Sequence, residues 1–299
     1  MITFDHVKKV LNGRTILDIS DLSIPKGSIY GLIGANGAGK STMLRLISGV
    51  YLADSGVVTV DGENIQDNAR MKEKIFFVSD DPYFLPQATL DEMAVFYQKY
   101  YKRFDTVLYE QLCMSFNLPV KNKLSSYSKG MRRQAILLLA LSTLPEYLLL
   151  DESFDGLDPV VRHKVRRILV DIAAQRSITV IISSHNLREL DELCDRVGIV
   201  YRGQMMYDIT LDALKEKIHK YQLAFSEPAA QELFAGLDLM SCETVGKFAT
   251  IVVRGSGEEL AQRLETLRPL ALEEFPLDLE EIFIYEMEAK GYDYKYIFS

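Results

Sequence analysis

The stretch GANGAGKST, Gly34 to Thr42, determines how the rest of the chain is read. Glycines stand at 34, 37 and 39, and Lys40 and Ser41 complete the spacing G-x-x-x-x-G-K-[ST]. Before it, SIYGLI (28–33) reads as a strand. After it, Met43, Leu44, Leu46 and Ile47 share one helical face, and Gly49 is the stop. Glycines let the backbone curl until consecutive N–H groups point at one anion, and a helix N-terminus adds favourable partial charge. Gly34, Asn36, Gly37, Ala38, Gly39, Lys40, Ser41 and Thr42 are therefore the expected contacts to a nucleoside triphosphate. Lys40 reaches the β- and γ-phosphates, and the Ser41 hydroxyl ligates Mg²⁺.

Working outward, residues 2–30 alternate as short strands, and GVVTVDGENI (56–65) reads as a hairpin turned by Asp61-Gly62. Residues 88–124 contain helical stretches rich in tyrosine and phenylalanine, and 128–144 form a second helix. YLLLDE (147–152) and ITVIISSH (178–185) are continuous apolar runs, as expected of strands buried on both faces of a parallel sheet. Near residue 210 the character changes to two strands, a helix and a closing helix. This predicts an α/β nucleotide-binding domain over 1–210, with a helical part at about 85–145, and a small α+β appendage over 211–299.

Asp151 and Glu152 end the strand YLLLDE, at the sheet edge where ligands bind in open α/β folds. Charge at a buried strand end is unfavourable without compensation, and Mg²⁺·ATP supplies it. Asp151 is assigned to the Mg²⁺ shell through water, and Glu152 to polarising the attacking water. Gly156 turns the chain sharply. For Asp155 and Asp158 two readings stand level: a turn and a helix N-cap, or, for Asp158, contact with a second copy of the chain. Ser128 is a natural N-cap beside Gly130, so that helix start is either an ordinary cap or a second anion site.

Composition bounds the class. Net charge is −8, and acidic and basic residues balance at 25 each over 1–210, against 17 and 9 over 211–299. The acidic excess argues against nucleic acid as a partner of the C-terminal segment. Three scattered cysteines suit a reducing cytosol. No signal peptide opens the sequence, and no apolar run approaches the ~20 residues of a membrane span.

In order, GANGAGKST, YSKGM (127–131), YLLLDE, GLD (156–158) and IISSH ending in His185 resemble the five motifs of the ATP-binding subunit of ABC transporters. The resemblance covers residues 1–210. It implies a P-loop NTPase core with an antiparallel β subdomain and a helical subdomain, ATP and Mg²⁺ as cofactors, and a head-to-tail dimer. Each ATP would be clasped by Gly34–Thr42 of one copy and Ser128–Gly130 of the other, with Asp158 near the junction. His185 would contact the γ-phosphate and link it to Glu152. A separate membrane permease would hold the protein on the inner face of the cell membrane. The acidic appendage and DLEEIF (278–283) resemble exporters of the drug and antimicrobial-peptide type, such as bacitracin, lantibiotic-immunity and phenol-soluble-modulin systems. An importer ATPase is the alternative, and ATPases acting on ribosomes or DNA are a more distant one.

Departures from the family stand out at three places, one of them the signature, where Tyr127, Lys129 and Met131 replace the commonest Leu, Gly and Gln while Ser128 and Gly130 are retained. The position that usually stacks an aromatic ring on adenine is Leu11, and lost stacking costs about 1–3 kcal/mol by analogy with other base–aromatic contacts. The position that usually carries a Mg²⁺-ligating glutamine is Asp80, which is expected to ligate Mg²⁺ directly or through water; a simple turn at Asp80-Asp81-Pro82 is the alternative. Gln87 falls on the segment facing the permease.

Overall fold

The computed structural model describes residues 1–289 and 291, which divide into two units. The first comprises residues 1–185 and 193–208, and the second 186–192 and 209 onward.

Two sheets build the first unit. An antiparallel sheet has the order β2-β1-β4-β5, from β1 (Ile2–Leu11), β2 (Arg14–Ile24), β4 (Ser55–Val60) and β5 (Glu63–Asn64). A six-stranded sheet has the order β10-β9-β3-β8-β7-β6. Its strands are β3 (Ile29–Ile33), β6 (Ile75–Val78), β7 (Tyr147–Asp151), β8 (Thr179–Ser183), β9 (Arg196–Tyr201) and β10 (Gln204–Thr210). The pairs β3–β8, β3–β9, β7–β8 and β6–β7 are parallel. Every residue of β3, β7 and β8 is buried, so their unbroken apolar sequences report two covered faces. The core they share with the antiparallel sheet includes Phe4, Leu17, Leu32, Leu44, Tyr147, Leu149 and Ile181.

Helix α1 (Lys40–Ile47) follows β3 directly, and α2 (Ala69–Lys72) precedes β6. The helical part holds α3 (Leu90–Tyr100), α4 (Thr106–Ser115) and α5 (Lys129–Ser142), and α6 (Pro159–Arg176) joins β7 to β8. Each of these starts has a physical cause. Thr89 and Glu92 form a reciprocal capping box on α3, Asp105 caps α4 through Leu108 N, and Ser128 caps α5 through Met131 N. The aromatic content of α3 also has one. β6 is an edge strand, and the Phe76 ring lies 5.2 Å from the rings of both Tyr97 and Tyr101. The Tyr101 hydroxyl donates to Ile75 O at 3.1 Å. Helix aromatics thus cover an edge that would otherwise offer unpaired backbone to another chain, and burial pushes the Tyr97 phenol up to about 12.

The second unit has an antiparallel sheet of order β12-β13-β11-β14. It uses β11 (Ile218–Ala224), β12 (Asp238–Val245), β13 (Phe248–Arg254) and β14 (Ala271–Phe275), around a core of Tyr221, Leu223, Phe234, Ile251, Val253 and Leu264. Helices α8 (Leu211–Lys215), α9 (Gly257–Glu265) and α10 (Leu279–Ala289) complete it. Residues 186–192, most of α7 (Leu187–Leu193), also belong here. Lys215 Nζ lies 2.6 Å from Asp191 Oδ1, and Arg188 Nε lies 3.4 Å from Glu280 Oε2. The helix that follows His185 therefore groups with the C-terminal residues, an assignment that a single cut at 210 does not express.

Thr89→Ala removes the α3 cap and is expected to cost about 1 kcal/mol. The measurement is a lower urea midpoint at unchanged slope for the transition that unfolds this unit; an unchanged midpoint would contradict the role given to the cap.

Candidate active site

The loop 34–39 spans from the end of β3 to Gly39, the α1 N-cap, which sits at φ 113°. That left-handed backbone excludes a side chain on strain alone, and a Cβ would also overlap the Leu17 side chain. With no side-chain cap on α1, its first N–H groups stay directed into the loop. Gly34 is equally constrained, since a Cβ there would collide with Val200 O. Gly203 N donates to Ala38 O at 3.0 Å, which ties the β9–β10 turn to the back of the loop.

Five of the expected site residues converge. Lys40 is 6% exposed; its Nζ donates to Gly34 O at 2.5 Å and lies 3.8 Å from Glu152 Oε1. Burial holds its ammonium below the ordinary lysine value, partly offset by the charges of Glu152 and Asp151. Ser41 Oγ donates to Asp151 Oδ1 at 3.0 Å. Glu152 Oε2 lies 2.9 Å from His185 Nδ1 and accepts from the His185 backbone N–H at 3.3 Å. Glu152 itself adopts φ 47°, a left-handed conformation that is unfavourable for a residue with a side chain and recurs at functional sites.

Two further residues belong to this cluster: Ser183, which the motifs did not single out, and Asp155, expected only as part of a turn. Ser183 Oγ donates to Asp151 Oδ1 at 2.6 Å and accepts from Glu152 N at 3.2 Å, so one hydroxyl holds both acidic residues. Asp155 Oδ2 lies 3.8 Å from His185 Nδ1. Ser183 lay in plain view within IISSH. What the sequence could not convey is that β8 runs beside β7 in register, with Asp151 opposite Ser183.

Asp151 is 1% exposed, and the hydrogen bonds to its side chain come from two hydroxyls. A buried carboxylate whose hydrogen-bond donors among the described residues are hydroxyls, next to a serine oxygen, is a hard-oxygen pair suited to Mg²⁺. Ser41 and Asp151 therefore fit the ion.

The remaining expected residues sit as follows. Ser128 Oγ accepts from Met131 N at 3.2 Å, as an N-cap does. A Cβ on Gly130 would stand 3.1 Å from Gly156 O, so the α5 start abuts the turn after Glu152. Asp158 caps α6 through Val160 N and Val161 N at 3.1 and 3.0 Å, the local one of its two readings. Leu11 ends β1 opposite Arg14, half-buried, next to the Asn12-Gly13 turn. Asp80 is 65% exposed, and its Oδ1 lies 2.5 Å from Arg133 Nη2, so the partner the structure gives it is a guanidinium. Gln87 accepts from Lys123 Nζ at 2.8 Å.

Fold and site together define a P-loop NTPase of the ATP-binding-cassette type, and comparison with known proteins places it more closely. The family model described as "ABC transporter" matches residues 17–155. The ABC transporter ATP-binding protein YtrB of Bacillus subtilis (strain 168) is 32% identical over 290 residues, covering 97% of this chain and 99% of that one. The bacitracin transport ATP-binding protein BcrA of Bacillus licheniformis is 32% identical over 224 residues, 74% of this chain and 73% of that one. The lantibiotic transport ATP-binding protein SrtF of Streptococcus pyogenes is 29% identical over 230 residues, 76% and 99% respectively. Among solved structures, the ATP-binding subunit of an ABC transporter superposes with a TM-score of 0.66 at 24% identity, over 72% of this chain and 91% of that one. A dimeric post-hydrolysis cassette, MJ0796 bound to ADP and Pi, superposes with a TM-score of 0.62 at 21% identity, over 71% and 99%. The chain belongs to the ATP-binding proteins of ABC transporters, and it is an ATPase.

Ser183→Ala removes the hydroxyl shared by Asp151 and Glu152 and is expected to lower the ATPase kcat roughly 10–100-fold, as loss of a ligand-orienting partner does. Steady-state hydrolysis at saturating Mg²⁺·ATP is the check, and an unchanged kcat would remove Ser183 from the site.

Proposed function

We propose that two copies of this chain close head to tail on two ATP molecules and drive a membrane exporter of amphipathic or antimicrobial peptides through a separate permease. The observation that carries the chemistry is the convergence of Lys40, Ser41, Asp151, Glu152 and His185 on one strand-end cluster. In this reading the loop N–H groups and Lys40 hold the phosphates. Mg²⁺ on Ser41 and Asp151 supplies charge neutralisation for phosphoryl transfer. Glu152 takes a proton from the attacking water, and His185, hydrogen-bonded to it, orients that carboxylate and contacts the γ-phosphate. Ser128 and Gly130 reach the ATP of the opposite copy. Closure then completes each site, so positioning of the reactants depends on dimerisation.

Export of peptides is supported by what BcrA and SrtF are named for. No helix among the described residues is long and apolar enough to cross a membrane, which fits a separate permease and a location on the inner membrane face. The 79–88 loop exposes Tyr83 (72%) and Leu85 (38%) to receive it.

The paired Tyr83→Asp, Leu85→Asp variant should retain ATPase activity and lose co-purification with its membrane subunit from detergent-solubilised membranes; undiminished recovery would count against this loop as the contact. In a 1:1 mixture with random pairing, a Ser128→Arg chain and a Lys40→Ala chain, each inactive alone, are expected to recover about a quarter of the turnover of the same amount of normal dimer, because about half the dimers are mixed and each has one intact composite site. No recovery at any ratio would contradict the shared-site reading.

A further inference from the structure

Helix α5 carries a buried cation that phosphate binding does not call for. Arg133 lies just past the Ser128 cap and is 3% exposed. Its Nη2 pairs with Asp80 Oδ1 at 2.5 Å, and its Nη1 donates to the backbone carbonyl of Glu152. Its Nε is buried without a hydrogen-bond partner among the described residues. A buried guanidinium is unfavourable unless its donors are met, so the acceptors it does have are informative. One is a carboxylate immediately beyond Ser79, where the 79–88 loop leaves β6. The other is the peptide of the residue that polarises water.

That peptide needs an external hold. Glu152 sits at φ 47°, and a strained conformation persists only where its surroundings over-determine it. Its N–H is fixed by Ser183, through the carbonyl at 3.1 Å and the hydroxyl at 3.2 Å. Its C=O is fixed by Arg133. The guanidinium in turn is oriented by Asp80, and an aspartate makes a charge-assisted hydrogen bond there where a glutamine would offer a neutral carbonyl. The aspartate in the 79–88 loop and the arginine in α5 are thus chemically matched.

We propose that Arg133 is a positioning residue that ties the Glu152 peptide to Asp80, so that the setting of the 79–88 loop is relayed to the water-polarising carboxylate. Asp80 acts through Arg133 and not as a Mg²⁺ ligand. The relay rests on the reading of Glu152 given above. Arg133 is anchored in a helix, whereas the Asp80 carboxylate is 65% exposed at a loop, so Asp80 is the member of the pair that withdraws in this relay. Withdrawal would leave the guanidinium without its charged partner and loosen its hold on the Glu152 carbonyl.

The test is a double-mutant cycle on the full chain: Asp80→Asn, Arg133→Gln and the double variant, each assayed for kcat, KM for ATP, half-saturating Mg²⁺ and thermal midpoint. Each single change should lower kcat about tenfold with KM and Mg²⁺ half-saturation within about twofold, and the double should be no slower than the slower single, as for residues acting as one unit. Additive losses would overturn the relay. So would a several-fold rise in the Mg²⁺ requirement with Asp80→Asn alone, which would make Asp80 a metal ligand. Should Arg133→Gln fail to fold, Asp80→Asn decides alone: reduced kcat at unchanged Mg²⁺ requirement supports the relay, and wild-type kcat overturns it. Glu152→Gln, run alongside, separates the two readings, because wild-type hydrolysis in that variant would remove Glu152 from its role whatever the cycle shows.

Discussion

A carboxylate buried at the end of a parallel strand is the constraint around which the site is arranged. Asp151 is 1% exposed, and burial of an ionised carboxylate is strongly unfavourable without hydrogen bonds and a counter-charge. Its hydrogen bonds come from Ser41 at the start of α1 and Ser183 at the end of β8. Those two bonds fasten the phosphate loop and two central strands to one point. The Lys40 ammonium supplies part of the counter-charge, although burial holds it below the ordinary lysine value, and the site as proposed draws the rest from Mg²⁺ with ATP. Glu152 follows directly in a left-handed backbone conformation, which turns its side chain toward His185 at 2.9 Å.

The placing of the phosphate loop beside Asp151 and Glu152 was legible in sequence because those residues are set by local chain geometry, whereas His185 entered through the family resemblance. A strand followed by Gly34–Thr42 and a helix can place N–H groups in only one way, and an apolar strand ending in Asp151-Glu152 puts both at the ligand edge. The caps were legible for the same reason: Ser128 and Asp158 each bond to an N–H two or three residues on. Asp158 shows the limit of such reasoning, since a cap and a partner contact make identical demands on the sequence.

What sequence did not convey lies between segments far apart in the chain. Ser183 reaches Asp151 across 32 positions and Arg133 reaches Asp80 across 53. No periodicity marks either, and a buried arginine inside GMRRQAILLLAL has the spelling of an ordinary helix start. The aromatic residues of α3 are a milder case: their spacing announces a helix, but their purpose, covering the edge strand β6, depends on strand order. The position of α7 with the C-terminal residues is likewise a property of the folded chain, visible in the Lys215–Asp191 and Arg188–Glu280 pairs.

In the proposed dimer, each ATPase site takes its phosphate loop and acidic pair from one copy and its remaining phosphate contacts from the other. Sedimentation velocity of Glu152→Gln, which keeps the binding residues and removes the proposed base, tests this most directly. With Mg²⁺·ATP the variant is expected to shift from monomer to dimer, a shift absent with ADP and abolished by Ser128→Arg. A monomer under every nucleotide condition, at concentrations where ATP binding is saturated, would contradict it.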